Sequence, residues 1–174
     1  MNATNFIFKT IHVLFWIIFI GLMVNTGSIL VAGILRLIIN PEKFKYLYTV
    51  IDYDKVLFYD RMAYSLFVAC IVAVEGLKSY IAYLVITIFL KLDLNSPFQS
   101  SFAPVLTRIS QLAFLAGLIA AVTTGLSNWF IGLGLIVPNK WGAEELLFFA
   151  GILYIVSVIF KKGTQLQTDN DLTI

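Results

Sequence analysis

Cysteine, histidine and charge are the scarce ingredients of this 174-residue chain. It holds one cysteine, Cys70, and one histidine, His12. Structural zinc and iron–sulfur sites need several thiolate or imidazole ligands. A metal centre within one chain is therefore excluded, and no cofactor is expected. A lone cysteine forms no intrachain disulfide, and Cys70 stands in an apolar run where an inert buried thiol is the expected state. His12 opens another such run and is expected at an interface. Charged residues are 13% of the chain, about half the share usual in soluble domains. The net charge of +2 comes without a basic cluster, so nucleic-acid binding has no footprint. The glycines of GLGLIVPNKWG lie in an apolar end and a turn, outside any strand–loop–helix setting, so they are not a phosphate loop. No Ser–His–Asp set stands out, and the chain reads as non-enzymatic. A membrane-embedded enzyme would have to work with Glu75, Lys78, Arg36, Arg108, Glu144 and Glu145.

What is plentiful is apolar surface. Hydrophobic residues are 60% of the sequence and the mean hydropathy is +0.91. A soluble domain of that composition would aggregate. The apolar residues gather in four stretches, about 11–39, 62–90, 104–136 and 143–160. A helix of roughly 20 apolar residues crosses a bilayer core. In hydrocarbon each backbone N–H and C=O must be paired within the segment, so the spans are helices. The expected fold is an all-α integral membrane protein, one domain of 1–174, with four transmembrane helices in a small bundle. The first stretch outruns a signal peptide and lacks a small-x-small cleavage site, so it reads as a retained span. No internal repeat of the inverted-transporter kind is seen.

Four spans put both termini on one side. Lys9, Lys91, Arg108, Lys161 and Lys162 fall on that side. Arg36, Lys43, Lys45, Lys55, Arg61 and Lys140 fall on the other. The positive-inside rule is near a tie and assigns no orientation. Between the first two spans, the loop from Asn40 to Arg61 is rich in aromatics. Its Phe44, Tyr46, Tyr48 and Val50 alternate with Lys45, Leu47 and Thr49, a period of two that suits a strand. Asp52-Tyr53-Asp54 would turn that strand into a second through Val56 and Phe58. An aromatic belt lying at the interface is the other reading. Between the second and third spans, Asn95 or Ser96 caps a short interfacial helix that begins at Pro97. Phe98 and Phe102 share its face, and with Arg108 they form the candidate lipid contact. Pro138-Asn139-Lys140 makes a tight turn, and residues 161–174 read as a mobile polar tail.

Ionisable groups inside spans are rare and default to functional hypotheses. Glu75 and Lys78 stand near the middle of the second span, three apart, so they share a face and can pair. Asn25 stands near the middle of the first. With Gly21, Ser28, Ala32 and Arg36 it makes a small and polar seam, from which it can bond Glu75 or Lys78 if the seam faces the second span. Ala113, Gly117, Ala121 and Gly125 recur every four residues in the third span. That is a small-xxx-small stripe for close helix packing, against a helix of this chain or of another copy. Arg36 and the Glu144-Glu145 pair lie toward one membrane face, where a cross-helix salt bridge is plausible.

Four spans, the long first loop, and a second span ending in LKLDLNSPFQSS followed by TRISQLAF resemble one bacterial membrane-protein family. It is catalogued as domain of unknown function 2975. The resemblance rests on Pro97-Phe98 after the second span and Arg108 early in the third, and it covers most of the chain. It implies a bacterial inner-membrane protein with cytoplasmic termini, and it carries no catalytic residues. The expected function is that of an accessory, regulatory or sensing protein, with the lipid bilayer and a protein partner or homo-oligomer as its contacts. The alternatives are an oligomeric small transporter or channel using Glu75 and Lys78, or a lipid-binding protein.

Overall fold

The computed structural model describes residues 3–38, 54–91 and 102–171. They form α1 (Ala3–Ile38), α2 (Asp54–Tyr59), α3 (Arg61–Lys91), α4 (Phe102–Gly132) and α5 (Ala143–Asp171). Four of these are long and apolar enough to cross a bilayer, over Lys9–Ile38, Arg61–Leu90, Phe102–Gly132 and Ala143–Leu166. The protein is an all-helical, multi-pass membrane protein.

The long helices pack in chain order, α1 on α3, α3 on α4 and α4 on α5, while the short α2 rests on α3. Contacts between α1 and α3 run in opposite senses along the two helices. Leu37 meets Arg61, Gly33 meets Val68, Asn25 meets Glu75, Phe19 meets Tyr83 and His12 meets Phe89. The pair is antiparallel and in register from end to end. Its turn end is sewn by two polar side chains. Asp60 caps α3, accepting the Met62 N–H through Oδ1 at 2.8 Å. Arg61 Nη2 donates to the Leu37 carbonyl at 2.8 Å, satisfying a group that the end of α1 leaves open.

Two apolar clusters hold the spans together. One joins Val56, Tyr64, Phe67, Ile71, Phe130 and Val137. The other joins Ile81, Leu84, Ile109, Ala113 and Ala150 toward the opposite end. Between them α4 presents Ala113, Ala116, Ala120, Thr123, Ser127 and Phe130, all buried, at alternating steps of three and four. That spacing holds one face of a helix toward its neighbours.

The stripe expected at Ala113, Gly117, Ala121 and Gly125 splits. Ala113 and Gly117 are buried, whereas Ala121 and Gly125 are exposed. Four residues overshoot one helical turn by about 40°, so three such steps carry a row off the contact face. The helix that Gly117 admits belongs to the same chain. A Cβ on Gly117 would stand 2.8 Å from the Leu147 side chain and 3.2 Å from its backbone nitrogen.

Because Leu147 rests on Gly117, α5 begins level with the middle of α4. The segment 133–142 therefore runs back along the last turns of α4. Gly134, at φ 80°, turns it. The Leu135 N–H reaches the Phe130 carbonyl at 3.0 Å and the Gly134 N–H reaches Ile131 at 2.9 Å, the Schellman pattern of helix ends. This ends α4, the third span, at Gly132, short of the expected 136.

Other expectations also change. Residues 54–59 form a helix rather than the second strand of a hairpin. Val56 is 0% exposed and Phe58 70%. In a strand the two would share a face, whereas in a helix they point apart, and only Val56 has a core to enter. The rest of the loop, 39–53, lies outside the described residues, as do Pro97 and Phe98. Phe102 opens α4 at 3% exposure, so it packs inside the protein and is not a lipid contact. The tail is helical to Asp171. Lysine and glutamine favour helix and no proline interrupts them, and Thr164 Oγ1 bonds back to the Phe160 carbonyl.

Gly117→Leu should lower stability by about 1–3 kcal/mol through overpacking. Gly125→Leu, with nothing within 4 Å of its Cβ, should be neutral or stabilising. Thermal unfolding in detergent compares the two, and equal effects would contradict the packing of α5 on Gly117.

Candidate functional site

Glu75 stands in the middle of the Arg61–Leu90 span and Asn25 in the middle of Lys9–Ile38. The register of α1 on α3 brings them together. Asn25 Nδ2 donates to Glu75 Oε2 at 3.3 Å. The other carboxylate oxygen, Oε1, accepts from Lys78 Nζ at 3.0 Å. Both oxygens of Glu75 are thus engaged, one by a charge on its own helix and one by an amide on the next. The chain closes this contact by keeping the helices near each other. A Cβ on Gly33 would stand 2.6 Å from Val68, and one on Gly76 3.9 Å from Thr26.

The pairing is needed because a lone carboxylate in an apolar medium is costly, and a matched ion pair with added hydrogen bonds offsets much of that cost. The trio is not sealed, however. The Lys78 side chain is 28% exposed and that of Glu75 13%, and Asn25 is exposed. Gly21 and Ser28, on the same flank of α1 as Asn25, are exposed too. Two neighbouring hydroxyls of α1 are satisfied by their own helix. Ser28 Oγ donates to the Asn25 carbonyl at 2.8 Å and Thr26 Oγ1 to Leu22 at 2.7 Å.

The other sequence candidates fall elsewhere. Arg36 is nearly buried at the end of α1. Glu144 and Glu145 are exposed on the first turn of α5, which packs on α4 while α1 packs on α3. The expected bridge from Arg36 to Glu144 or Glu145 is not among the ion pairs of the described residues. The two carboxylates instead line an open groove of about 420 Å3, with Ala121, Thr124, Lys140 and Trp141. That groove lets the irregular backbone of 139–142 meet water, as non-helical chain near a bilayer requires. Arg108 is exposed, with its guanidinium 5.6 Å from the centre of the Tyr80 ring. His12 Nε2 accepts from Trp16 Nε1 at 3.0 Å and its ring stacks on Phe89. Cys70 is half-buried. No metal-ligating cluster occurs among the described residues.

Two polar contacts between separate segments had no sequence signal. Ser110 Oγ donates to the Ala150 carbonyl at 2.9 Å. Trp141 Nε1 donates to Ser127 Oγ at 2.9 Å. Ser127 Oγ also donates to the Thr123 carbonyl of its own helix at 2.9 Å, and the Trp141 and Ala150 partners are set by the return of 133–142 along α4.

Comparison with family models, with curated proteins and with solved structures finds no match to this chain.

Lys78→Met leaves Glu75 short of its counter-charge and should destabilise the protein by about 3 kcal/mol, the low end for buried pairs because Lys78 stays partly open. The double change Glu75→Gln with Lys78→Met should recover to within about 1 kcal/mol of the starting protein. A double-mutant cycle in mixed micelles measures the coupling, and additive losses would refute the pairing.

Proposed function

We propose that this protein is a non-enzymatic subunit of a membrane assembly, acting as an accessory, regulatory or sensing component. The observation behind this reading is the unsealed trio of Asn25, Glu75 and Lys78 at mid-span. Polar groups at that depth gain from meeting other polar groups, because lipid tails offer them no hydrogen bonds. A neighbouring membrane helix with donors and acceptors at the same level would complete them. The flank of α1 leading to the trio is small and open at Gly21 and Ser28, which suits close approach by a helix.

The resemblance to the family of unknown function 2975 adds a setting, the bacterial inner membrane with both termini in the cytoplasm. A transport role has less support, since both Glu75 oxygens are already engaged and the pair neutralises itself. A lipid role draws on Arg108, exposed beside Tyr80.

Gentle extraction from native membranes, followed by mass measurement of the intact particle, tests the docking reading. A second protein chain, identical or different, should be retained in fixed ratio. It should be lost from the Glu75→Gln, Lys78→Met double variant while that variant keeps its thermal stability. A monomer carrying lipid alone would overturn the reading.

A further inference from the structure

We infer that the chain completing the trio is a second copy of this protein, related by a two-fold axis along the membrane normal. The inference rests on the docking reading above and names its partner.

Three features of the flank point to self-association. The first is the chemistry of Asn25. An amide carries two N–H donors and an acceptor oxygen, and the structure uses one donor, toward Glu75. The oxygen and the second N–H stay available on an exposed side chain. A group that both gives and accepts pairs with its own image, and buried Asn–Asn pairs select dimers in this way in coiled coils.

The second feature is charge. Glu75 and Lys78 lie about 4.5 Å apart along the axis of α3, one negative and one positive. A two-fold copy about the membrane normal leaves each Glu75–Lys78 pair intact at its own level, and the assembly stays neutral. A partner bearing charge of one sign would leave a residue of charge in the apolar layer. The third feature is depth. Two copies inserted in the same sense carry their trios at the same level, so their polar groups meet without further adjustment.

The approach is sterically open. Gly21, Asn25 and Ser28 are spaced four and three apart, which places them on one side of α1. All three are exposed, and no atom lies within 4 Å of a Cβ built on Gly21. Gly27 is equally exposed and equally unobstructed, but it faces another side of the helix.

Disulfide trapping in native membranes tests this in a Cys70→Ala background. A disulfide requires Cα atoms within roughly 7 Å, so it reports helices that touch. Gly21→Cys or Ser28→Cys should give a covalent dimer on oxidation. Gly27→Cys, of similar depth and exposure, should give little. Adding Asn25→Leu to Ser28→Cys should lower the yield several-fold. No dimer at positions 21 and 28, or equal yields at 27, would overturn the second-copy inference. If a different protein still co-purifies and depends on Glu75 and Lys78, the docking reading survives without it. If neither a copy nor another chain is retained, both fail.

Discussion

A charge placed in hydrocarbon must bring its counter-charge along, and that constraint organises the centre of this protein. Lys78 provides the counter-charge for Glu75 within α3. Asn25 then ties the pair to α1. The amide reaches the carboxylate only because α1 and α3 are in register from Leu37–Arg61 at one end to His12–Phe89 at the other. Register, close approach at Gly33 and polar pairing are therefore one arrangement. Moving α1 by a single turn would break all of them together.

The other half of the molecule obeys a steric rule. Gly117 lets Leu147 sit against the α4 backbone, and this contact decides where α5 begins. The offset forces 133–142 back along α4, where Gly134 supplies the left-handed turn and Trp141 anchors the segment to Ser127. Glu144 and Glu145 follow from the same offset, since they sit where the first turn of α5 has exposed N–H groups and favours negative charge. A glycine at mid-helix thus sets the position of a groove several residues away in sequence.

Much of this was legible in the residues themselves. Run length and backbone pairing are enough to give four helical spans. The three-residue spacing of Glu75 and Lys78 implies their pairing, and the central position of Asn25 puts it within reach of Glu75 or Lys78 if its seam faces the second span; the structure selects Glu75. What was not legible depended on three-dimensional context. The stripe from Ala113 to Gly125 was a row of constant spacing that winds off the contact face, so half of it points outward. Val56 and Phe58 alternate as a strand would, but a core for Val56 alone makes them helical. The polar residues after Phe160 carry no apolar signal, yet nothing in them stops a helix. Phe102 reads as a surface aromatic when it is grouped with Phe98, but the fold packs it inside at the start of α4.

The pairing of the trio matters only if it lies at the middle of the bilayer. The most direct check is the depth of a spin label at Gly27→Cys, two residues from Asn25, in a Cys70→Ala background in liposomes. Gly27 is open and unobstructed, so the label should leave the helices undisturbed. Strong relaxation by oxygen and little by a water-soluble nickel chelate is expected, as at a bilayer centre. Strong relaxation by the nickel chelate would place the trio at the water interface and remove the reason for its pairing.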